Sequence, residues 1–338
     1  MLVLGIETTC DETACAVVES GQRILSNVVA TQTDLHALYG GVFPELACRR
    51  HFDVLIPIID QSLKEAGVTA EQMDLISVAK GPGLIGALFL GLHAAKALSL
   101  AWNKPFVGVN HVEAHLYAAM MGCDKLEFPA LGVVISGGHT FLVKMEGVGE
   151  YELIGQTVDD AIGEAFDKVA VMLGLPYPGG PEIEKLAAQG QLGKYSFKPG
   201  VVKNNCWNFS FSGLKTNVLY TLKGQNSDKD APLQLPPKEF PHIAAAFQET
   251  ALQSIVQKAL TAASHLDCKV IFLGGGVTQN KRLRELFEQA PIPVFWPPRG
   301  LSLDNGAMIA GLGYQIFLKQ NRQGDGLDLE PLPRIPLN

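Results

Sequence analysis

Residues 4–19, LGIETTCDETACAVVE, return 127 positions later as residues 131–146, LGVVISGGHTFLVKME. In both copies an apolar run leads through a short polar turn into a second apolar run, which is the pattern of a β-hairpin. A duplicated hairpin with polar tips predicts two similar lobes whose turns face each other across a central cleft. Backbone N–H groups at such turns can hold an anionic ligand. Two unrelated hairpins could also match this loosely, so the repeat alone leaves coincidence open.

A second correspondence argues against coincidence. The strand predicted over 75–79 leads through Gly81-Pro82-Gly83 into a helix, and the strand predicted over 270–273 leads through Gly274-Gly275-Gly276 into another. Strands that alternate with helices around paired hairpins predict an α/β protein of two duplicated mixed-sheet lobes. The predicted domains are an N-terminal lobe over 1–127 with a helical insertion near 39–67, a C-terminal lobe over 128–303, and a final helix and tail over 304–338 that pack back on the N-terminal lobe.

The helical insertion has an apolar side with Arg49-Arg50-His51 on another side. Such a helix is usually packed against its lobe and sometimes docks a partner. The apolar positions are Leu46, Phe52, Leu55, Ile56, Ile59 and Leu63.

Composition narrows the class of protein. The 338 residues are 47% hydrophobic and 18% charged, which suits two domains with substantial cores. A net charge of -7 argues against a protein that coats nucleic acid by bulk electrostatics, so any such contact is local or shared with a partner. The six cysteines form no C-x-x-C pair, which favours a reducing compartment, and we expect a cytoplasmic protein. The apolar stretch 84–102 contains His93 and Lys96, so a buried core helix explains it better than a membrane span.

His111 and His115 lie one helical turn apart, so both imidazoles face one side, as a first-row metal site requires. Zinc proteases place Glu directly after the first His, but here Val112 stands there, and a protease loses its base. Two histidines leave a metal short of ligands, and Asp304 is a candidate carboxylate. The same Asp304 could instead be an ordinary helix N-cap.

The polar turns carry further candidate groups. Ser136-Gly137-Gly138 can turn several N–H groups toward phosphate or carboxylate oxygens, and Gly274-Gly275-Gly276 with Asn280 could receive the sugar and base of a nucleotide. Asp11 and Glu12 could orient a cation, accept a proton or be ordinary solvated turn residues. Lys215 could meet an anion or cap a local turn.

Several motifs occur together over nearly the whole chain. They are residues 5–13 (GIETTCDET), 81–84 (GPGL), 111–115 (HVEAH), 136–140 (SGGHT), 164–168 (EAFDK), 177–181 (YPGGP), 209–216 (FSFSGLKT) and 304–308 (DNGAM). Taken together, they resemble the universal tRNA N6-adenosine threonylcarbamoyltransferase family, bacterial type, formerly called O-sialoglycoprotein endopeptidases.

The resemblance implies a fold of the actin, Hsp70 and sugar-kinase superfamily. It implies transfer of a threonylcarbamoyl group from threonylcarbamoyl-AMP to the exocyclic amine of adenosine 37 in tRNAs that read codons beginning with A. It also implies one divalent metal ion, usually iron (Fe2+), held by His111, His115 and Asp304. The substrate site carries over to Val134, Ile135, Ser136, Gly137, Gly138, Asp167, Gly180 and Asn280.

For this reaction, Asp11 or Glu12 is the expected acceptor of the amine proton. Bacterial members of the family work with a catalytically silent paralogue of the same fold and with a small P-loop ATPase, and no membrane partner is implied. A rival interpretation is an ATP-dependent sugar kinase or ATPase of the same superfamily, but it leaves the histidine pair unexplained. A non-catalytic scaffold predicts missing metal ligands, and this chain retains them.

Overall fold

The computed structural model describes residues 1–39, 41–123, 125–225, 227 and 231–335, so residue 40 of the predicted insertion and the last three residues of the predicted tail lie outside it. The strands are β1 (Leu2–Glu7), β2 (Glu12–Glu19), β3 (Arg23–Thr31), β4 (Leu75–Gly81), β5 (Phe106–Asn110), β6 (Ala130–Ile135), β7 (Thr140–Gly147), β8 (Glu150–Gln156), β9 (Val270–Gly274) and β10 (Val294–Phe295). The α-helices are α1 (Thr33–Ala37), α2 (Pro44–Ala66), α3 (Ile85–Trp102), α4 (His111–Met120), α5 (Ile162–Met172), α6 (Gly179–Ala187), α7 (Ser212–Lys223), α8 (Phe240–His265), α9 (Lys281–Phe287) and α10 (Gly306–Lys319).

The strands form two five-stranded mixed sheets with the same plan. The order is β3-β2-β1-β4-β5 in the first and β10-β9-β6-β7-β8 in the second. In each sheet the first strand of the repeat lies in the centre, antiparallel to the next strand of its hairpin and parallel to a later strand, β4 or β9. The prediction of two duplicated mixed-sheet α/β lobes is confirmed.

The pairing register repeats together with the sequence. Leu4 pairs with Val17 in the first hairpin and Leu131 with Lys144 in the second, so both positions recur at the spacing of 127. Because a shift of one residue would turn every side chain to the other face of a sheet, the equal register keeps the same face of each hairpin buried.

The described residues group into two compact units. One comprises Met1–Leu126, Gly147–Tyr151 and Trp296–Asn338, and the other comprises Glu127–Glu146 and Glu152–Phe295. The first unit therefore contains both the N-terminal sheet and α10.

Helices cover both faces of the first sheet. Leu4 and Ile6 point into a core with α2 and α3, while Gly5 between them faces α10 on the opposite side. A Cβ atom on Gly5 would lie only 2.1 Å from the carbonyl oxygen of Gly306. Glycine at both positions allows the backbones of β1 and α10 to approach closely, which fixes the start of α10.

The buried side of α2 differs from the predicted one. Leu55 and Ile59 are buried as expected, but Phe52 and Ile56 are 74% and 61% exposed, and His51 is fully buried. The apolar pattern therefore predicted the wrong buried side for part of α2. Two polar residues of the helix, His51 and Ser62, are buried instead, because each forms a hydrogen bond inside the lobe. An apolar strip on α2 is left at the surface.

Helix α3 is buried along one face only. Ala87, Leu88, Gly91, Leu92 and Ala95 are buried, whereas Ile85, Phe89 and Leu100 are exposed. Among the described helices, α3 has the length and apolar composition of a membrane span, a test that core helices also pass. Its packing on β4 and α2 agrees with the predicted core helix on one side.

Candidate active site

The histidine pair stands where β5 passes into α4. Asn110 ends the strand and caps the helix, because its Oδ1 accepts from the backbone N–H of Val112 at 2.9 Å. His111 and His115 therefore project from the first two turns of a helix that starts at the carboxyl end of a buried parallel strand. Both are buried, and their ring centroids lie 4.6 Å apart.

Asp304 is distant in sequence from the histidine pair but lies next to it in the structure. The N-cap of α10 is Asn305, whose Oδ1 accepts from the N–H of Met308 at 2.9 Å and whose Nδ2 donates to the carbonyl of Leu303 at 2.8 Å. The helix thus begins at Gly306, and the alternative assignment of Asp304 as the N-cap is wrong. The cap and the close packing of Gly306 on the hairpin position the Asp304 carboxylate.

The three side chains have the geometry of a metal-binding triad. One ligand atom from each of His111, His115 and Asp304 lies within 4.8 Å of the other two. Asp304 Oδ1 is 3.2 Å from His115 Nε2 and 3.7 Å from His111 Nε2. Two ligands held at about 2.1 Å from one ion lie roughly 3 to 4 Å apart, so these separations suit a shared first-row cation.

In the described part of the chain, the lack of hydrogen bonds to the His115 ring also indicates a metal ligand. Both of its ring nitrogens are buried and have no hydrogen-bond partner among the residues that the structure describes. The short approach of Nε2 to Asp304 therefore lacks the angles of a hydrogen bond. Because an unpaired buried nitrogen is costly, a cation at this point would satisfy a lone pair that the protein leaves unused.

Glu7, the last residue of β1, orients His111. Its Oε2 accepts from Nδ1 of His111 at 2.9 Å, and its Oε1 accepts from the backbone N–H of Thr9 at 2.5 Å. A carboxylate that holds one imidazole N–H leaves the other nitrogen as the ligand, so Nε2 is presented toward Asp304. The residue patterns did not predict this role, although a carboxylate that ends an otherwise apolar strand was a usable signal.

The charge of the His111 ring depends on its two carboxylate neighbours. Burial disfavours the imidazolium, but Glu7 and Asp304 outweigh burial and raise the pKa of His111 to about 9. Without a cation, the ring is therefore protonated at neutral pH, and a metal ion must displace that proton.

Asp11 lies in the same unit, between β1 and β2, and Glu12 is the first residue of β2; we call this pair the acidic turn. Burial, together with the Asp304 and Asp11 carboxylates, raises the pKa of Glu12 to about 10. Glu12 thus carries a proton at neutral pH in the absence of a cation, and a nearby cation would favour its ionised form. The acidic turn is therefore electrostatically linked to the metal-binding triad.

The second unit brings together the glycine turn and the ends of its central strands. Val134 and Ile135 end β6, and Ser136 closes the following turn by donating its N–H to the carbonyl of His139 at 2.9 Å. A Cβ on Gly137 or Gly138 would meet nothing within 4 Å, so this turn faces open space.

The glycine after β9 lies against that turn. Gly275 has a φ of +96°, and its Cβ position is 2.4 Å from the carbonyl oxygen of Ile135. A larger residue would be both strained and in collision there, which explains the glycine.

Asp167 and Asn280 are tied to neighbouring backbone. Asp167 Oδ1 accepts from the N–H of Gly179 at 2.7 Å, which fixes the start of α6, where Gly180 follows with open space at its Cβ position. Asn280 caps α9 through the N–H of Leu283 and donates to Gln248 Oε1 at 2.9 Å. The start of α9 is tied to the middle of α6, since the Lys281 N–H donates to Glu184 Oε1 at 2.8 Å. The roles of these residues in substrate binding stay predictions.

The FSFSGLKT segment holds a loop in the second unit. Asp159 accepts from the hydroxyls of Ser210 and Ser212, each at 2.6 Å, and Lys215 pairs with Asp160 at 2.5 Å. Contact with an anion and capping of a local turn were the two roles considered for Lys215. The structure shows that Lys215 forms an ion pair with the Asp160 carboxylate of this loop.

Comparison with known proteins places these features in a family. A family description, tRNA N6-adenosine threonylcarbamoyltransferase, matches residues 23–311. The chain is 61% identical to the tRNA N6-adenosine threonylcarbamoyltransferase of Protochlamydia amoebophila, with 100% of this chain and 98% of that protein covered.

Solved structures agree on the fold. A ROK hexokinase from Thermus thermophilus has a TM-score of 0.53 at 15% identity and covers 95% of this chain and 99% of its own. Component A of the (R)-2-hydroxyglutaryl-CoA dehydratase from Acidaminococcus fermentans has a TM-score of 0.53 at 14% identity, covering 94% and 98%. At these identities the likeness concerns the fold alone, and it agrees with the predicted fold of two mixed-sheet α/β lobes.

Proposed function

The chain belongs to the tRNA N6-adenosine threonylcarbamoyltransferase family, and on that premise we propose that it transfers the threonylcarbamoyl group of threonylcarbamoyl-AMP to the exocyclic amine of adenosine 37 in tRNAs that read codons beginning with A. The observation that carries the proposal is the convergence of His111, His115 and Asp304, with no hydrogen bond to either ring nitrogen of His115 from the residues that the structure describes. A sugar kinase or ATPase leaves the histidine pair unexplained.

The residues of the chain have distinct tasks in the proposed reaction. In the turn formed by Ser136, Gly137 and Gly138, the two glycines offer their backbone N–H groups to the phosphate of the adenylate. The amine nitrogen attacks the carbamoyl carbonyl carbon, the bond from that carbon to the phosphate oxygen breaks, and AMP leaves with the electron pair. We propose Fe2+ as the divalent cation; held by the triad, it would supply Lewis acidity and a fixed point for the donor.

Asp11 is the better candidate for accepting the amine proton. Burial and the neighbouring carboxylates raise the pKa of Glu12, which works against its ionised, proton-accepting form. Asp11 precedes it on the same turn.

Reconstitution tests the activity. The purified chain, its protein partners, threonylcarbamoyl-AMP and an unmodified tRNA transcript should yield threonylcarbamoyladenosine in the digested tRNA, measured by nucleoside mass spectrometry. ATP hydrolysis or sugar phosphorylation by the isolated chain, with no transfer to tRNA, would instead favour the kinase.

Metal binding should weaken as the pH falls below about 9, because a proton and a cation compete for His111 Nε2. The folded-state pKa is raised, so the proton is bound below about 9, and displacing it costs about tenfold in apparent affinity for each pH unit. Titration calorimetry with Co2+ from pH 6.5 to 9 measures this slope. In Glu7→Gln the slope should flatten over this range, since the larger of the two carboxylate contributions that raise the pKa of His111 is gone and only that of Asp304 remains. Equal affinities of the wild-type protein at both ends of the range would refute the competition.

Family membership and the surface of the first unit support a proposal about partners. We propose a catalytically silent paralogue of the same fold, a small P-loop ATPase and tRNA as partners, all in the cytoplasm. Phe52 and Ile56 on α2 and Ile85 and Phe89 on α3 form what we call the α2–α3 apolar surface, each at least half exposed. The two helices pack together at Cys48 and Gly86, so these side chains lie on adjacent helices, and the paralogue would cover them.

Substitution of this surface should break the complex and leave metal binding intact. Phe52→Asp and Phe89→Asp should each weaken binding of the paralogue by more than about tenfold, as expected for central aromatic residues of an interface. Sedimentation of the mixed proteins measures the complex. Leu192→Asp, which changes an exposed leucine of the second unit, is the matched control. A complex of unchanged affinity in both surface variants would place the paralogue elsewhere.

A further inference from the structure

His51 is buried on α2 and contacts both ends of the acidic turn. One ring nitrogen, Nε2, lies 2.9 Å from the carbonyl oxygen of Cys10, and the other, Nδ1, lies 2.7 Å from the hydroxyl of Thr13. Cys10 and Thr13 are the residues on either side of Asp11 and Glu12. A single rigid ring therefore spans the two residues that the proposed reaction uses.

The partners fix the tautomer of this ring. A carbonyl oxygen can only accept, so Nε2 carries the hydrogen and donates it to Cys10. In the neutral ring Nδ1 then accepts from the Thr13 hydroxyl. Burial lowers the pKa of His51, in keeping with a neutral ring whose two polar atoms are both satisfied.

The position of the Asp11 side chain depends on the backbone of this turn, and His51 fixes that backbone to α2 at Cys10, the residue before Asp11. Besides the ring, the turn is held by the Gln32 N–H, which donates to the carbonyl of Asp11 at 3.0 Å, and by a long contact of 3.4 Å from Thr31 to Glu12.

We propose that His51 is a positioning residue, which binds the Cys10 carbonyl and the Thr13 hydroxyl to α2 and thereby sets the place of the Asp11 carboxylate for proton transfer. The inference rests on the proposed function, because it gives Asp11 its task. A displacement of about 1 Å of a reacting group can lower a rate about 100-fold, so loss of the ring should be felt in kcat.

A matched control exists on the same helix. Ser62 is also buried on α2, and its hydroxyl lies 2.8 Å from that of Ser26, which accepts the N–H of Val17. Ser62→Ala therefore removes a buried hydrogen bond between α2 and the sheet, but at a place away from the turn. Both it and His51→Leu should lower the thermal stability, and only His51→Leu should lower kcat.

The test compares these variants in the complete reconstituted system. His51→Leu should lower kcat about 100-fold, with KM for tRNA and the affinity for Co2+ changed less than about twofold. His51→Gln, whose amide can still donate to the Cys10 carbonyl, should recover part of kcat. In an Asp11→Asn background, His51→Leu should cause no further loss, since the group that it positions is already inactive.

Three outcomes would overturn the proposal: near-wild-type kcat in His51→Leu, an equal loss of kcat in Ser62→Ala, or a full additional loss in the Asp11→Asn background. Turnover of the wild-type protein in the same assay decides the proposed function separately. If the wild-type protein transfers the group and His51→Leu is as active, only the positioning role fails. If the wild-type protein transfers nothing, the proposed function itself fails, and the assigned task of His51 fails with it.

Discussion

Replacement of His111 or His115 by alanine should remove bound metal and threonylcarbamoyl transfer together. Each imidazole supplies one of the three ligand atoms that converge within 4.8 Å, and two remaining ligands cannot enclose an ion. Loss of an outer partner of a ligand already costs about 10- to 100-fold in affinity, so loss of a ligand should cost more than about 100-fold. Co2+ titration and the nucleoside assay measure the two effects on the same preparations.

His265→Ala is the control for these variants. His265 lies exposed at the end of α8 in the second unit, outside both the triad and the α2–α3 apolar surface, so its removal tests whether any histidine binds the added metal. Its affinity and turnover should equal those of the wild-type protein. Full transfer by a metal-free His111→Ala protein would show that the reaction does not require the metal.

Asp11→Asn should lower kcat about 100- to 10,000-fold, the range expected for loss of a general base. Glu12→Gln should cost less than about tenfold, because glutamine has the shape and the hydrogen-bond donor of the protonated acid that Glu12 is in the cation-free site. Single-turnover rates with saturating donor measure the chemical step without product release.

Glu19→Gln is the matched control for the acidic pair. It lies at the far end of β2, partly exposed and paired with Arg23, and should leave the rate unchanged. If Glu12→Gln proves more damaging than Asp11→Asn, the two carboxyl groups have exchanged roles, and a bound cation has ionised Glu12.

The sequence predicted the fold because the fold rests on local periodicity that occurs twice. The hairpins over 4–19 and 131–146 recur in register, and the glycine runs after β4 and β9 follow parallel strands as expected. The sequence also predicted that His111 and His115 lie together, since their spacing of four residues places both rings on one side of a helix.

Burial was less predictable, because it depends on partners distant in the chain. His51 is buried next to the exposed Phe52, since only the ring of His51 meets Cys10 and Thr13. Glu7 became recognisable as the partner of His111 only when β1 and β5 were placed in one sheet. Likewise, the sequence did not show that Asn305, one residue after Asp304, is the N-cap of α10.

The most direct test of the central claim is the nucleoside at position 37 of tRNA from cells depleted of this protein and then supplied with a plasmid-borne copy. Mass spectrometry should show threonylcarbamoyladenosine lost on depletion, restored by the wild-type gene and by His265→Ala, and still absent with His115→Ala. Modification that persists in depleted cells, or that His115→Ala restores in full, would contradict a transfer centred on His111, His115 and Asp304.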